Sequence, residues 1–138
     1  MKRFAVLLIA LVTFATACQG NVFSLSVGDC FNDPDSGDEV ANVEMVECGE
    51  SHDNEVFAAF DIPGDIFPGQ AAAQQDADRG CSDRFEPYVG TDYLDSSLLF
   101  SFLTPSDASW DQGDREVLCF LYDINGGALT TSVKGTGL

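Results

Sequence analysis

The sequence predicts an α+β domain, in which one main helix packs on a small, mostly antiparallel sheet and two disulfides fasten the core. Short segments that alternate apolar and polar residues predict the strands. One longer segment, residues 70–88, repeats its apolar residues at every fourth position and predicts the helix. Four cysteines fall within or beside these segments, an even number that is typical of the disulfide framework of an exported domain.

Strand-like segments precede the predicted helix. Residues 22–27 and residues 40–48 alternate as half-buried strands do, whereas residues 55–60 are apolar on both faces and favour a central strand. Between the first two segments, residues 32–39 combine Asn, Pro, Ser, Gly and acids. This composition predicts an exposed loop.

Two further strands follow the predicted helix. Residues 97–103 place large apolar side chains on one face, and residues 115–123 are apolar on both faces, which again indicates a central strand. Residues 105–113 are predicted to form a loop that contains Trp110, and residues 128–134 a short strand or a loop.

The N-terminal residues predict export. Lys2 and Arg3 precede an apolar run that begins at Phe4 and ends in small residues at Ala17, which is the pattern of a secretion signal. The run is shorter than the ~20 residues that a helix needs to cross a bilayer. We therefore divide the chain into a signal peptide at residues 1–17, a lipid attachment site with a short tether at residues 18–21, and one domain at residues 22–138.

The residues that end at Cys18 fit two forms of export. Ala15-x-Ala17 suits an ordinary signal peptidase, whereas Ala17-Cys18 suits a bacterial lipobox, whose cysteine is acylated with chains such as palmitate. The lipobox match is imperfect, since Ala15 stands where Leu is usual. Because the chain has five cysteines, acylation of Cys18 leaves an even number for disulfides. We predict a lipoprotein anchored to the cell membrane through Cys18, the alternative being a freely secreted protein.

The other cysteines predict two disulfides, although spacing alone allows three pairings. We favour Cys30–Cys48, which closes a loop between neighbouring strands, and Cys81–Cys119, which joins the apolar face of the helix to a central strand. Cys48 and His52 have a spacing that suits zinc. No second close pair of ligands accompanies them, and an oxidising compartment disfavours free thiolates, so no metal is predicted.

The charge excludes nucleic acid as a partner. The chain has 23 acidic and 6 basic residues, a net charge of −17, whereas binding to a phosphate backbone requires clustered Lys and Arg. This charge also repels anionic headgroups, so the attachment to the membrane is assigned to the acyl chains. The predicted partners are the membrane, through the lipid anchor, and an envelope protein or wall polymer.

His52 is the only histidine, and it admits two interpretations. As a general base it would be oriented by Asp53 or Glu55. As a structural residue it would brace the turn before the 55–60 strand, bonded to a backbone carbonyl or to Asp53. Ser51 is too close in sequence for nucleophilic attack assisted by His52. We favour the structural role and predict neither catalytic residues nor an enzyme. The alternative is an envelope hydrolase or transferase that uses His52 with a carboxylate such as Asp114.

Trp110 and Arg115 flank the last long strand. Trp110 is an exposed ligand platform in one interpretation and a lid on the core in the other, which we favour. We expect a carboxylate to bind the guanidinium of Arg115.

An acidic loop raises the alternative of a calcium-responsive surface module. Its residues are Asp29, Asp33, Asp35, Asp38 and Glu39. Their spacing does not fit a calcium-binding loop, so a solvated loop is the default expectation, and no cofactor is predicted.

A set of motifs in fixed order resembles the actinobacterial septum formation domain. They are residues 27–31, Cys48 with residues 52–56, Pro68-Gly69, Cys81 with Phe85 and residues 88–90, Pro105, Trp110, and residues 113–119. The resemblance covers residues 22–135 and departs from the family at Ser51, where such sequences often have Pro. It implies an exported or membrane-anchored envelope protein linked to the division septum. It implies no established reaction and no catalytic residues.

Overall fold

The computed structural model describes residues 19–21, 24–34 and 42–138. Six strands form one sheet in the order β1-β3-β2-β4-β6-β5, and all neighbouring strands are antiparallel. The strands are β1 (Gln19–Asn21), β2 (Cys30–Asn32), β3 (Asn42–Val46), β4 (Asn54–Asp61), β5 (Leu98–Leu103) and β6 (Glu116–Asp123). Helix α1 (Gln70–Val89) joins β4 to β5, and the short helix α2 (Asp107–Trp110) joins β5 to β6. The predicted α+β class, with one main helix on an antiparallel sheet, is confirmed.

Helix α1 packs on one face of the sheet, over β4, β5 and β6. Ala73, Ala77, Cys81 and Phe85 are fully buried, as the four-residue spacing predicts. The helix approaches β4 closely, since a Cβ at Gly80 would lie 2.1 Å from the ring of Phe60. This close packing explains why small residues dominate the buried stripe.

The helix ends where the sequence predicts an end. Gly90 follows the last helical residue with φ at 94°, a left-handed conformation that glycine adopts without strain. Its amide donates to the carbonyl of Glu86 at 2.8 Å, which satisfies one of the free carbonyls of the final turn. A 3₁₀ turn at Tyr93–Asp95 then leads into β5.

The other face of the sheet buries a second, smaller cluster. It consists of Leu25, Phe31, Val43, Val56 and Leu118. The ring of Phe120 packs edge-on against Phe31, with 5.6 Å between the ring centroids. Because β4 and β6 contribute to both clusters, their apolar residues on both faces are explained, and their predicted central positions are confirmed.

Both favoured disulfides are present. Cys30–Cys48 joins β2 to the turn after β3, and Cys81–Cys119 joins α1 to β6, with Cα–Cα distances of 5.2 and 5.8 Å. In the chain-entropy model, closing these loops stabilises the fold by about 3 to 4 kcal/mol for each disulfide. The second disulfide fixes the helix to the centre of the sheet, which makes the two layers one unit.

The predicted strand over residues 22–27 is wrong for the residues that the structure describes. Leu25 and Ser26 have no strand pairing, and residues 26–29 form a β-turn in which the amide of Asp29 donates to the carbonyl of Ser26 at 3.0 Å. The amide of Gly28 donates to the carbonyl of Val56, and the amide of Ser26 donates to the Asp29 carboxylate, which bends the chain sharply. The strand begins only at Cys30. Leu25 is still buried, so the alternating pattern reflects burial without strand geometry.

Other segments also differ from their predicted structure. Residues 19–21, predicted as part of a tether, pair with Asn42–Glu44 as strand β1, although they carry no alternating pattern. The predicted 105–113 loop contains α2, which begins with a capping box between Ser106 and Ser109. Residues 128–134 form no strand of the sheet; Leu129 makes a single isolated antiparallel bridge with His52.

Some predictions concern residues outside the described ranges. They are the signal peptide at residues 1–17, the acylation of Cys18, and the part of the acidic loop at residues 35–39.

Candidate functional site

The five candidate residues occupy separate environments. His52 is buried and pairs with Leu129 of the C-terminal segment (residues 128–138), Asp53 lines a surface cleft, and Glu55 lies in the core. Trp110 and Arg115 stack on each other beside α2. The structure therefore brings together only the last pair among the predicted functional residues.

His52 is braced by the backbone. Its side chain is 1% exposed, and its Nδ1 lies 2.8 Å from the carbonyl oxygen of Glu50, so Nδ1 carries the proton in this contact. Its backbone amide and carbonyl pair with Leu129 at 2.9 and 2.8 Å. Nε2 is buried and has no hydrogen-bond partner in the part of the chain that the structure describes. These contacts agree with the structural interpretation, in which a backbone carbonyl binds the ring.

Glu55 is a buried carboxylate with three donors. Its Oε1 accepts hydrogen bonds from the Tyr88 hydroxyl at 2.7 Å and the Ser132 hydroxyl at 2.8 Å, and its Oε2 accepts one from the amide of Val133 at 2.8 Å. The side chain is fully buried. One carboxylate thus joins β4, α1 and the C-terminal segment, and these bonds offset the cost of burying it.

The environment of Glu55 also affects Tyr88. Burial raises the pKa of the Tyr88 hydroxyl well above its usual value, and the hydrogen bond from Tyr88 to Glu55 raises it further. Tyr88 therefore stays protonated and acts as a donor. The amino group of Lys134 lies 5.7 Å from the centre of the Tyr88 ring, which places one of the few cations beside this cluster.

Glu55 also lies beside the first disulfide. One of its carboxylate oxygens and the sulfurs of Cys30 and Cys48 lie within 4.8 Å of one another. This is the one group of three ligand atoms close enough for a metal among the described residues. Because both sulfurs belong to a disulfide, they are not available as thiolate ligands.

Asp53 lies in a cleft of about 280 Å³ on the sheet face opposite α1. The cleft is lined by Asp33, Asp53, Asn54, Ser101, Phe120, Tyr122, Asp123, Gly126 and Gly127. The aromatic rings come from β6, and carboxylates come from the ends of three strands. The cleft therefore combines an apolar surface with a negatively charged border.

Hydrogen bonds hold the border of this cleft in place. Asp53 accepts a bond from the amide of Asp33 at 3.0 Å, and Asp33 accepts one from the side chain of Asn54 at 2.8 Å. Asp123 accepts bonds from the amides of Asn125 and Gly127 at 2.8 and 3.3 Å. Each carboxylate keeps an oxygen that these bonds do not use.

Arg115 packs on Trp110 and binds backbone carbonyls. Its guanidinium carbon lies 3.7 Å from the centre of the indole. Its nitrogens donate to the carbonyls of Gly64, Trp110 and Asp114 at 3.3, 2.8 and 2.7 Å. Within the described ranges no carboxylate forms an ion pair with Arg115, contrary to the expectation, and carbonyl oxygens and an aromatic face surround the guanidinium instead. Trp110 is 3% exposed and packs in the core cluster, a position that agrees with its interpretation as a lid on the core.

Sequence reasoning missed most of the cleft. Phe120, Tyr122 and Asp123 belong to a strand whose apolar pattern explains them without a ligand, and Ser101 comes from the neighbouring strand. The sequence offers one signal of the cleft: Ser101 is polar within a strand that is otherwise apolar. Asp33 was predicted only as a member of the acidic loop.

The chain belongs to the septum formation family, since the model of that family matches residues 15–136. Neither a search of curated proteins nor one of solved structures finds a match. The family and the two disulfides are consistent with an extracytoplasmic protein that has a role in cell division or the cell envelope. Within the described ranges, no helix has both the length and the apolar character needed to cross a bilayer.

Proposed function

We infer that this chain is an extracytoplasmic lipoprotein, anchored through Cys18, that acts in septum formation as a non-enzymatic binding module. The cleft carries this proposal, because it presents aromatic rings and unshared carboxylate oxygens to solvent. Such a surface suits a cationic group of an envelope protein or wall polymer.

The contacts of the polar residues support binding over catalysis. Among the described residues, the ring of His52 makes one hydrogen bond, to the backbone carbonyl of Glu50. Glu55 is occupied by three donors inside the core. General acid–base catalysis needs a titrating group within hydrogen-bond reach of substrate, and the burial of both side chains argues against that role.

Anchoring is tested in cells of the native organism. A fluorescent protein is fused after Leu138 through a flexible linker, in the natural sequence and in Cys18→Ala. We expect the natural fusion in the membrane fraction and concentrated at division sites, and the variant released from membranes. Uniform distribution of the natural fusion around the cell would contradict a septal role. Membrane retention of the variant would contradict the lipid anchor.

Binding through the cleft is tested with wall fragments and envelope extracts. The matched variants Asp53→Asn and Asp95→Asn each remove one exposed or half-buried carboxylate, but only Asp53 lines the cleft. We expect retention of a partner to weaken with Asp53→Asn and with rising salt, and to be unchanged with Asp95→Asn. Equal effects of both variants would show that the cleft is not the binding site.

A further inference from the structure

In the described part of the chain, strand β5 forms an edge of the sheet without the features in its own residues that usually protect an edge. The strand order leaves β1 and β5 at the two edges, with three and six residues. Strand β5 pairs with β6 in unbroken register, and it contains neither a charged residue nor a proline. Natural edge strands are commonly protected by shortness, Lys, Pro or a bulge. Strand β1 is protected by its shortness, and β5 has none of these features.

The hydrogen-bonding pattern identifies the groups that face outward. The amide of Ile124 donates to the carbonyl of Ser97 at 3.0 Å, and the register places these two residues opposite each other, so they occupy a hydrogen-bonded position just before β5. In an antiparallel pair every second residue bonds to the partner strand. The backbone groups of Leu98, Phe100 and Phe102 therefore point away from β6, towards the free edge.

Two of these three residues are open to a new strand. The amide of Leu98 donates to the hydroxyl of Ser96 at 3.0 Å, so this amide is not available to a new strand. Among the described residues, no backbone hydrogen bond from outside the sheet reaches Phe100 or Phe102. An antiparallel strand exchanges two hydrogen bonds with each such residue.

An acidic cleft lies next to this edge. The ring of Tyr93 lies 5.0 Å from that of Phe100, centroid to centroid, and Tyr93 also lines a cleft of about 560 Å³ between the 3₁₀ turn and α1. The other residues that line this cleft are Ser82, Asp83, Glu86, Pro87, Asp92 and Leu94. Leu94 is 89% exposed, so the cleft offers an apolar contact beside three carboxylates and no base.

We propose that the β5 edge binds an extended peptide segment of a partner protein, which adds to the sheet as a strand and places basic side chains in the acidic cleft. Main-chain bonds to Phe100 and Phe102 supply affinity, and the cleft selects the charge. A second copy of this chain is disfavoured as the occupant, because each copy has a net charge of −17. The proposal rests on the binding role inferred above, and it specifies the chemistry of one partner.

The test uses the purified protein, with strand β1 included and both disulfides intact, and a blocked synthetic peptide, Thr-Val-Thr-Val-Thr-Val-Lys-Lys. Hydrogen exchange is followed by NMR at individual amides. We expect saturating peptide to slow exchange at the amides of Phe100 and Phe102 at least tenfold, with little change in α1. N-methylation of alternate peptide residues should abolish the effect in one register and preserve it in the other, since only one edge of the peptide bonds to β5.

Matched variants test the cleft. The double variant Asp83→Asn, Glu86→Gln and the double variant Gln74→Lys, Gln75→Lys each raise the charge by two at exposed positions of α1, but only the first alters the cleft. We expect the first to weaken binding of the Lys peptide about three- to tenfold at low salt, and the second to change it less than twofold. A peptide ending in Glu-Glu should bind more weakly to the unaltered domain.

Several results would overturn the proposal. They are unchanged exchange at Phe100 and Phe102, equal binding of both N-methylated peptides, and equal effects of the two double variants. Protection of these amides that rises with protein concentration, without peptide, would assign the edge to a second copy. Because the measurement is made in solution, its outcome is independent of whether Cys18 is acylated in cells.

Discussion

The hydroxyl of Tyr88 donates a 2.7 Å hydrogen bond to Oε1 of Glu55, across the boundary between helix and sheet. The same carboxylate holds the C-terminal segment through Ser132 and Val133. Three parts of the chain that are distant in sequence therefore depend on one buried acid. Removing any donor leaves a charged group in the core with fewer partners than it needs.

We predict that Tyr88→Phe lowers the free energy of unfolding by about 1 to 3 kcal/mol, because it removes a donor to a buried carboxylate. Tyr122→Phe is the control, since Tyr122 is half-buried in the cleft. It should change stability by less than about 0.5 kcal/mol. Urea denaturation of both variants measures these changes. Equal losses of unfolding free energy would show that the hydrogen bond to Glu55 does not stabilise the fold.

His52→Ala should destabilise the domain by about 2 to 4 kcal/mol, because it leaves a cavity and frees the carbonyl of Glu50. His52→Asn should lose less, since the Asn amide can still donate to that carbonyl. Thermal unfolding measures both. The catalytic alternative makes a different prediction: both variants would abolish an activity on wall fragments at unchanged stability.

Arg115→Lys should cost about 1 to 2 kcal/mol, because Lys lacks the planar fork that stacks on Trp110 and reaches several carbonyls at once. Arg79→Lys is the matched control. Arg79 is exposed and its ion pair with Asp76 is 3.7 Å long, so we expect a change under about 0.5 kcal/mol. Denaturant midpoints that move equally for the two variants would contradict a structural role for Arg115.

The raised pKa of Glu116 makes the stability of the folded protein depend on pH, and the sign of this dependence follows from the direction of the shift. Partial burial raises the pKa of its carboxyl, and the charges of Asp61 and Asp114 add to this. A raised pKa in the folded state means that ionised Glu116 opposes folding at neutral pH. This penalty is relieved as pH falls through the raised pKa, because the folded state then takes up the proton first.

Glu116→Gln should therefore raise stability at pH 7 slightly, by less than about 0.5 kcal/mol for this exposed site, and the gain should vanish on acidification. Glu47→Gln, at another exposed position, is the control for the loss of one negative charge. Melting temperatures between pH 4 and pH 7 give the comparison. A gain for Glu116→Gln that grows as pH falls would have the wrong sign.

The sequence predicts the elements whose burial is periodic. The helix stripe ending at Phe85 and the two-sided apolar pattern of β4 and β6 correspond directly to buried faces. Spacing alone leaves three disulfide pairings open, and the favoured one is present; its Cys81–Cys119 bridge forms because Cys81 lies on the buried helix face above β6. Periodicity records burial, so it succeeds where burial and regular backbone coincide.

Periodicity fails to predict structure where a residue is buried but its backbone is not part of a helix or strand, and where a strand has no periodic pattern. Leu25 is buried without strand pairing, so its pattern resembles a strand that does not exist. Strand β1 forms by pairing with Asn42–Glu44, a long-range contact that leaves no local signal in Gln19–Asn21. The cleft also depends on long-range contact, since Asp33, Asp53 and Asp123 meet only when the sheet has formed.

Export, anchoring and both disulfides are tested together by the intact mass of the protein isolated from its native membrane, measured before and after reduction and alkylation. We predict a chain that begins at Cys18, carries acyl chains on that residue, and gains four alkyl groups only after reduction, from Cys30, Cys48, Cys81 and Cys119. An uncleaved chain with no lipid, alkylated on its cysteines without any reductant, would contradict export, anchoring and both disulfides together.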